Sequence, residues 1–188
     1  MTRPALLALW ALLLLAGCGL VGGEDEPVES DSALVDLSGL GDLKDQFNQD
    51  TGVPRILILL SPSCPECLLG ASRVQQVVLD ENPEADLRVY VVWADLLIED
   101  ARGSVDPGVM PDPRAVHYWD GEKTVGTWLA QQDRYWQLFR GPSAWDIYYL
   151  FGPDAAWGEA PGPLLDSGYP LVQKTEGLRE TLSRILPR

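Results

Sequence analysis

The sequence predicts an α/β fold: a mixed sheet flanked by helices. Two observations carry this. An apolar run without alternation, Arg55 to Leu60, leads into Cys64-Pro65-Glu66-Cys67 and then into an amphipathic, helix-like run from Leu68 to Asp80. A second apolar run, Leu87 to Trp93, is rich in β-branched and aromatic residues, as strands are. Strand, helix, strand in that order makes a right-handed βαβ unit with parallel strands. Strands covered on both faces read as continuous apolar runs.

The chain has 188 residues and a formal net charge of −14. That length suits one domain plus extensions. The charge argues against nucleic acid or an anionic bilayer surface as a partner. No glycine-rich phosphate loop is present, and the single histidine, His117, is not accompanied by a nucleophile motif. A hydrolase triad is therefore improbable.

The first residues read as an export signal. Arg3 supplies a basic start, Ala5 to Leu15 is apolar, and small residues follow. The run is too short to span a bilayer, which takes about 20 apolar residues. Leu15-Ala16-Gly17-Cys18 resembles the lipobox of bacterial lipoproteins. The resemblance implies a signal peptide over 1–17 and lipidation at Cys18, with membrane attachment through the lipid. Loss of Arg3 would take the charge from −14 to −15. Gly19 is not the Asp of an inner-membrane retention signal, so the outer membrane facing the periplasm is expected in a Gram-negative cell. An ordinary cleaved signal with a chance cysteine is the alternative. Residues 18–39 are expected to form an acidic tether, since 19–36 holds Glu24, Asp25, Glu26, Glu29, Asp31 and Asp36 and no base.

Residues 40–188 are the folded domain. A short helix is expected over Leu43–Asn48, and a turn at Thr51-Gly52-Val53-Pro54. Cys67, Ala71, Val74 and Val78 fall on one face of the helix after the cysteines, and Asn82-Pro83 stops it. Leu96-Leu97-Ile98 would open a short helix in an otherwise loop-like stretch. Ala115–Tyr118 and Thr124–Leu129 read as a hairpin around Asp120-Gly121. Gln131–Arg140 reads as helical, Trp145, Ile147, Tyr149 and Phe151 alternate like a strand, and Pro153–Pro170 reads as irregular. Leu178, Leu182 and Ile185 mark a final amphipathic helix, about 175–186. The aromatic residues of 131–172 are read as extra core in preference to a partner surface.

The strand-to-helix Cys-Pro-Glu-Cys resembles the active-site motif of the thioredoxin superfamily. The likeness covers about residues 40–130. It implies a thioredoxin-like mixed sheet with an aromatic-rich C-terminal insertion or extension at 131–172. In that family a cis-proline opens the hairpin's first strand and packs beside the disulfide. Pro113, 49 residues after Cys64, is the carried-over cis-proline, with Pro111 second. Ser63, where many relatives carry Trp, and Arg114, where Thr or Val is common, depart from the pattern.

The chemistry expected is thiol–disulfide exchange with protein thiols and disulfides, served by an unidentified redox partner and needing no cofactor. Cys64 would attack, because a helix N-terminus favours a thiolate; Cys67 would resolve. Pro65 suits the first helical position. Glu66 suits a helix start but disfavours a nearby thiolate, which tilts the pair towards reductase-like behaviour unless the side chain points away. Two alternatives stand beside this. One is a Cu(I) site at Cys64 and Cys67, with His117 as third ligand, since soft thiolates suit that ion. The other is an interaction module whose disulfide is structural.

Overall fold

The protein is described here from a computed structural model, which covers residues 34–132 and 141–186. Its elements run β1 (Val35–Asp36), α1 (Leu40–Gln49), β2 (Arg55–Leu60), α2 (Pro65–Val74), β3 (Arg88–Ala94), β4 (Ala115–Asp120), α3 (Thr124–Ala130), β5 (Ile147–Trp157), β6 (Pro161–Gly168) and α4 (Leu171–Ile185). A π-helical turn, Gln75–Leu79, extends α2, and two 3-10 turns lie between β3 and β4. The sheet order is β1-β4-β3-β2-β5-β6. The first four strands in that order pair in parallel, and β5 and β6 are antiparallel. This is the expected mixed α/β sheet flanked by helices.

The apolar run 55–60 does not alternate because both faces of β2 are covered. Ile56, Ile58 and Leu60 join Val89, Val91 and Trp93 of β3 under α2 and α4. Leu57 and Leu59 join Tyr90, Val92, Tyr149 and Phe151 under α1 and α3. Each fully buried aliphatic side chain contributes roughly 1.5–3 kcal/mol. On the first face α2 and α4 pack so closely that a Cβ on Gly70 would meet Leu171 Cγ at 2.9 Å. Most of the aromatic residues after 140 are core: Tyr148, Tyr149, Phe151 and Trp157 are buried, Trp145 is half-buried and Tyr169 is exposed.

Several expectations are corrected. Thr124–Leu129 is not the second arm of a hairpin. β4 lies in parallel between β3 and β1 and leads into α3. Asp120 accepts from the N–H groups of Thr124 and Val125, at 2.9 and 2.8 Å, so the Asp-Gly pair starts a helix. Val125 and Leu129, which suit either an arm or a helix, are both buried on α3. The hairpin is β5–β6: β5 begins in the strand expected around Ile147–Phe151, and its end, the turn and β6 lie in the stretch read as irregular. Pro161 and Pro163 belong to β6, at the edge of the sheet, where a missing N–H is tolerated. Residues after 130 therefore complete the sheet, through β5 and β6. β1 falls within the stretch assigned to the tether. No helix forms at 96–98. Of the helix expected at 131–140, residues 133–140 lie outside the described residues, as does Cys18.

Candidate active site

The end of β2 delivers the chain to the cysteines. Ser61 and Pro62 are buried, and the Cys64 N–H donates to the Ser61 carbonyl at 3.3 Å. Cys64 is the N-cap of α2, with φ −86° and ψ 112°, and Pro65 is the first helical residue. The Cys67 N–H, one of the donors a helix start leaves unpaired, donates to Cys64 Sγ at 3.2 Å. Cys64 Sγ thus takes the place of a side-chain cap at the start of α2. Glu66 is exposed in the first turn.

The two sulfurs differ in access. Cys64 is 6% exposed and Cys67 is fully enclosed. Both are free thiols. The expected exposure of Cys64 is thus only a sliver. Burial pushes the Cys67 thiol far above the usual range, and its hydrogen bond with Cys64 adds to this; the Ser61 N–H acts in the opposite sense, and the charge of Asp146 raises it further.

Asp146 reaches this end of the sheet because β5 runs against β2, with Leu59 opposite Ile147. It is buried, takes a left-handed φ of 54°, and accepts the Leu171 N–H on both its carbonyl (2.8 Å) and Oδ1 (3.2 Å). Burial holds its carboxyl above the ordinary range. Asp100 grips the other side of the cysteine loop: its Oδ1 accepts from Ser61 Oγ, Ser63 N and Ser63 Oγ at 3.0, 3.0 and 2.6 Å. Neither aspartate carries a sequence signal, since each arrives from a segment remote from the cysteines.

Pro113 does not join the site. The cis peptide bonds among the described residues are Gly162–Pro163 and Tyr169–Pro170. Pro113 and Pro111 are exposed and precede β4. Because β4 and β2 are parallel, that end of the sheet is opposite the cysteines. The residue that opens the antiparallel hairpin is preceded by Asp146, so the place expected for a proline holds a left-handed aspartate. Arg114, beside Pro113, instead closes the end of the α2 extension, donating to the carbonyls of Leu79, Asn82 and Ala85.

His117 is likewise not turned to the cysteines. It is buried, its Nδ1 accepts from Trp93 Nε1 at 3.0 Å, and its Nε2 donates to the Met110 carbonyl at 3.0 Å. Burial lowers its pKa, consistent with a neutral ring. With both nitrogens engaged, it is not available as a third ligand. Among the described residues no group of three or more His, Cys, Asp or Glu is arranged to hold a metal ion. Nor is any described helix long and apolar enough to cross a membrane.

The fold is a mixed six-stranded α/β sheet flanked by helices, with the cysteine pair at a strand-to-helix junction. No protein-family model and no curated protein sequence matches the chain. Among solved structures it is similar to a secreted Mycobacterium tuberculosis disulfide oxidoreductase homologous to E. coli DsbE. The identity is 15% and the TM-score 0.44, over 72% of this chain and 84% of that one. It is also similar to a putative thioredoxin from Neisseria meningitidis, at 22% identity and TM-score 0.45, over 73% and 79%. A third is the copper-bound ScoI of Arabidopsis thaliana, at 13% and 0.41, over 72% and 88%. Similarity at this level bears on neither activity nor ligand.

Proposed function

We propose that the chain is an extracytoplasmic thiol–disulfide oxidoreductase, tethered to a membrane by lipid at Cys18. It acts on protein thiols or disulfides through Cys64 and Cys67. The observation that supports this best is the asymmetry of the pair. Cys64 keeps 6% exposure, stands at a helix N-terminus, and its sulfur accepts a backbone N–H; Cys67 is fully enclosed. In the reductive direction the Cys64 thiolate attacks a substrate disulfide. A sulfur–sulfur bond forms to Cys64, and one substrate thiolate leaves. Cys67 then loses its proton and attacks Cys64 Sγ, which releases the second substrate thiolate. The substrate gains two electrons, and the pair becomes a disulfide. Oxidation of a dithiol is the reverse.

Replacement of each cysteine tests the roles. Cys64→Ser is expected to abolish exchange. Cys67→Ser should trap mixed disulfides with substrate, seen as adducts on non-reducing gels that vanish on reduction. Adducts with Cys64→Ser would reverse the roles; none with either, and loss of stability in both, would make the pair structural. For the anchor, the intact mass of the membrane-extracted protein should show an acylated Cys18. A soluble product with an unmodified N-terminus would refute it.

A further inference from the structure

The turn that follows β3 stands against the entry to the active site, and Asp100 holds it there. Asp100 Oδ2 accepts the N–H groups of Leu96 and Leu97 at 2.9 and 2.8 Å, and the Asp100 N–H donates to the Leu97 carbonyl at 3.0 Å. Asp100 Oδ1 accepts the Ser63 N–H and the hydroxyls of Ser61 and Ser63. One carboxylate thus separates the backbone of Leu97 from that of Ser63, the residue before Cys64. At the tip of this turn Ile98 is fully exposed, and Leu97 beside it is 38% exposed. The turn keeps two apolar side chains in water next to the reacting sulfur, although burial of either would stabilise the fold. On the other side of Cys64 in the chain, the outward face of α2 carries Glu66 and Leu69, both exposed. At a spacing of three they are neighbours on that face. The two borders share one composition, apolar beside acidic: Glu99, which follows Ile98, is exposed. The sequence has no Lys or Arg from 56 to 72 or from 89 to 101.

We propose that the turn at 97–99 is a substrate-docking element, and that it selects polypeptides whose disulfide cysteine has an apolar and a cationic side chain close by in sequence. The apolar side chain rests on Leu97 and Ile98, and the cation lies beside Glu99. This deepens the redox reading above and rests on it. An extended segment advances about 3.3 Å per residue. With its cysteine at Cys64, residues a few positions along therefore reach a turn that is bonded to Ser63. Contact with a substrate segment takes Ile98 out of water, which the fold itself does not do. The acids on both borders attract a cation and repel an acidic segment. They also oppose an anionic bilayer surface as the occupant.

The test uses the reduced full chain and three disulfides. These are oxidised glutathione, the disulfide-linked dimer of a short peptide with Leu and Arg around its cysteine, and the same dimer with Ser and Glu in those places. In each reaction one substrate disulfide becomes two thiols as Cys64 and Cys67 become a disulfide, followed by mass after acid quenching. Flanking charges alter the leaving thiol alike for every variant, so the reading is the change in each second-order rate constant on substitution. Ile98→Ser should slow the Leu/Arg peptide about threefold to tenfold. It should leave the Ser/Glu peptide and glutathione, which has no apolar side chain, within about twofold of wild type. Glu99→Lys should slow the Leu/Arg peptide and speed the Ser/Glu peptide, each by about twofold to fivefold at low salt and less at high salt. These outcomes support the proposal. Equal slowing of all three substrates by Ile98→Ser overturns it, because loosening of the turn would act on all alike. An Ile98→Ser that changes none overturns it too and leaves the turn to another occupant. So does a Glu99→Lys that moves both peptides in the same direction. If one variant does not fold, the other decides alone. A wild-type chain that reduces none of the three would instead overturn the redox reading, which keeps the two failures distinct.

Discussion

The two ends of β2 hold polar groups under equal burial and use them differently. At its start, Arg55 is fully buried among apolar residues. Its Nη1 donates to the Phe47 carbonyl at 2.8 Å, and its Nη2 donates to the carbonyls of Gly152, Pro153 and Ala155 at 3.0, 3.0 and 2.8 Å. The guanidinium lies 4.3 Å from the Phe47 ring centroid. Those bonds fasten the irregular stretch where the β5–β6 register shifts between Phe151 and Ala156. The other end of β2 leads to two free thiols, Cys64 with 6% exposure and Cys67 with none. Arg55, whose Nη donors are spent on fixed carbonyls while its Nε has no partner among the described residues, is structure. A thiol that keeps a sliver of exposure at a helix N-terminus is a candidate site.

The sharpest way to break this contrast is to alkylate the reduced native protein. Cys64 should react more than about a hundredfold faster than Cys67, because each unit of raised pKa costs about tenfold in thiolate, and burial adds to it. Mass mapping at short times checks this. Comparable rates would mean that the two sulfurs are not distinguished by the fold.

Next in size is Arg55→Leu. It removes four hydrogen bonds to carbonyls, of which that of Pro153 keeps the Gly52 N–H, at about 1–3 kcal/mol for each group left unsatisfied before relaxation. The loss should be about 3 kcal/mol or more, read from urea unfolding. The alkylation rate of Cys64 in the folded variant should stay within about twofold of wild type, since the effect is confined to stability. A loss below about 1 kcal/mol would mean that the carbonyls find other partners and that the guanidinium does not fasten β5.

The smallest effect belongs to His117→Gln. Trp93 Nε1 and the Met110 carbonyl lose a fitted partner, at about 1 kcal/mol, with exchange activity almost unchanged. A large loss of exchange in a folded variant would return His117 to the site. The pH dependence has a definite sign. Burial lowers the folded pKa of His117 below 6.5. As pH falls from about 6.5 towards that lower value, the unfolded chain binds a proton that the folded chain refuses, so stability falls with pH. Above 6.5 this contribution is fully present. In the Gln variant that part of the slope between pH 5 and 7 should disappear from denaturation curves.

By itself the sequence determined what depends on short stretches. The apolar run 55–60, the cysteine pair with Pro65 behind it, the run 87–93 and the spacing of Leu178 and Leu182 each specify an element within a few turns of chain. Their periodicity and punctuation act locally. The structure bears out these elements. Partner choice was decided only in three dimensions. Val125 and Leu129 suit a strand or a helix, and the cap from Asp120 decides for the helix. Gly152 and Pro153 look like loop until Arg55 accepts the task of holding their carbonyls within a long bulged strand. Pro113 sits at a plausible distance along the chain, yet parallel pairing carries it to the far end of the sheet. Asp100 and Asp146 meet the cysteines because β3 ends and β5 begins at the same edge as β2 ends. Such meetings are set by strand order and direction, which arise from the packing of the whole core and leave no trace in the spacing of the residues that meet.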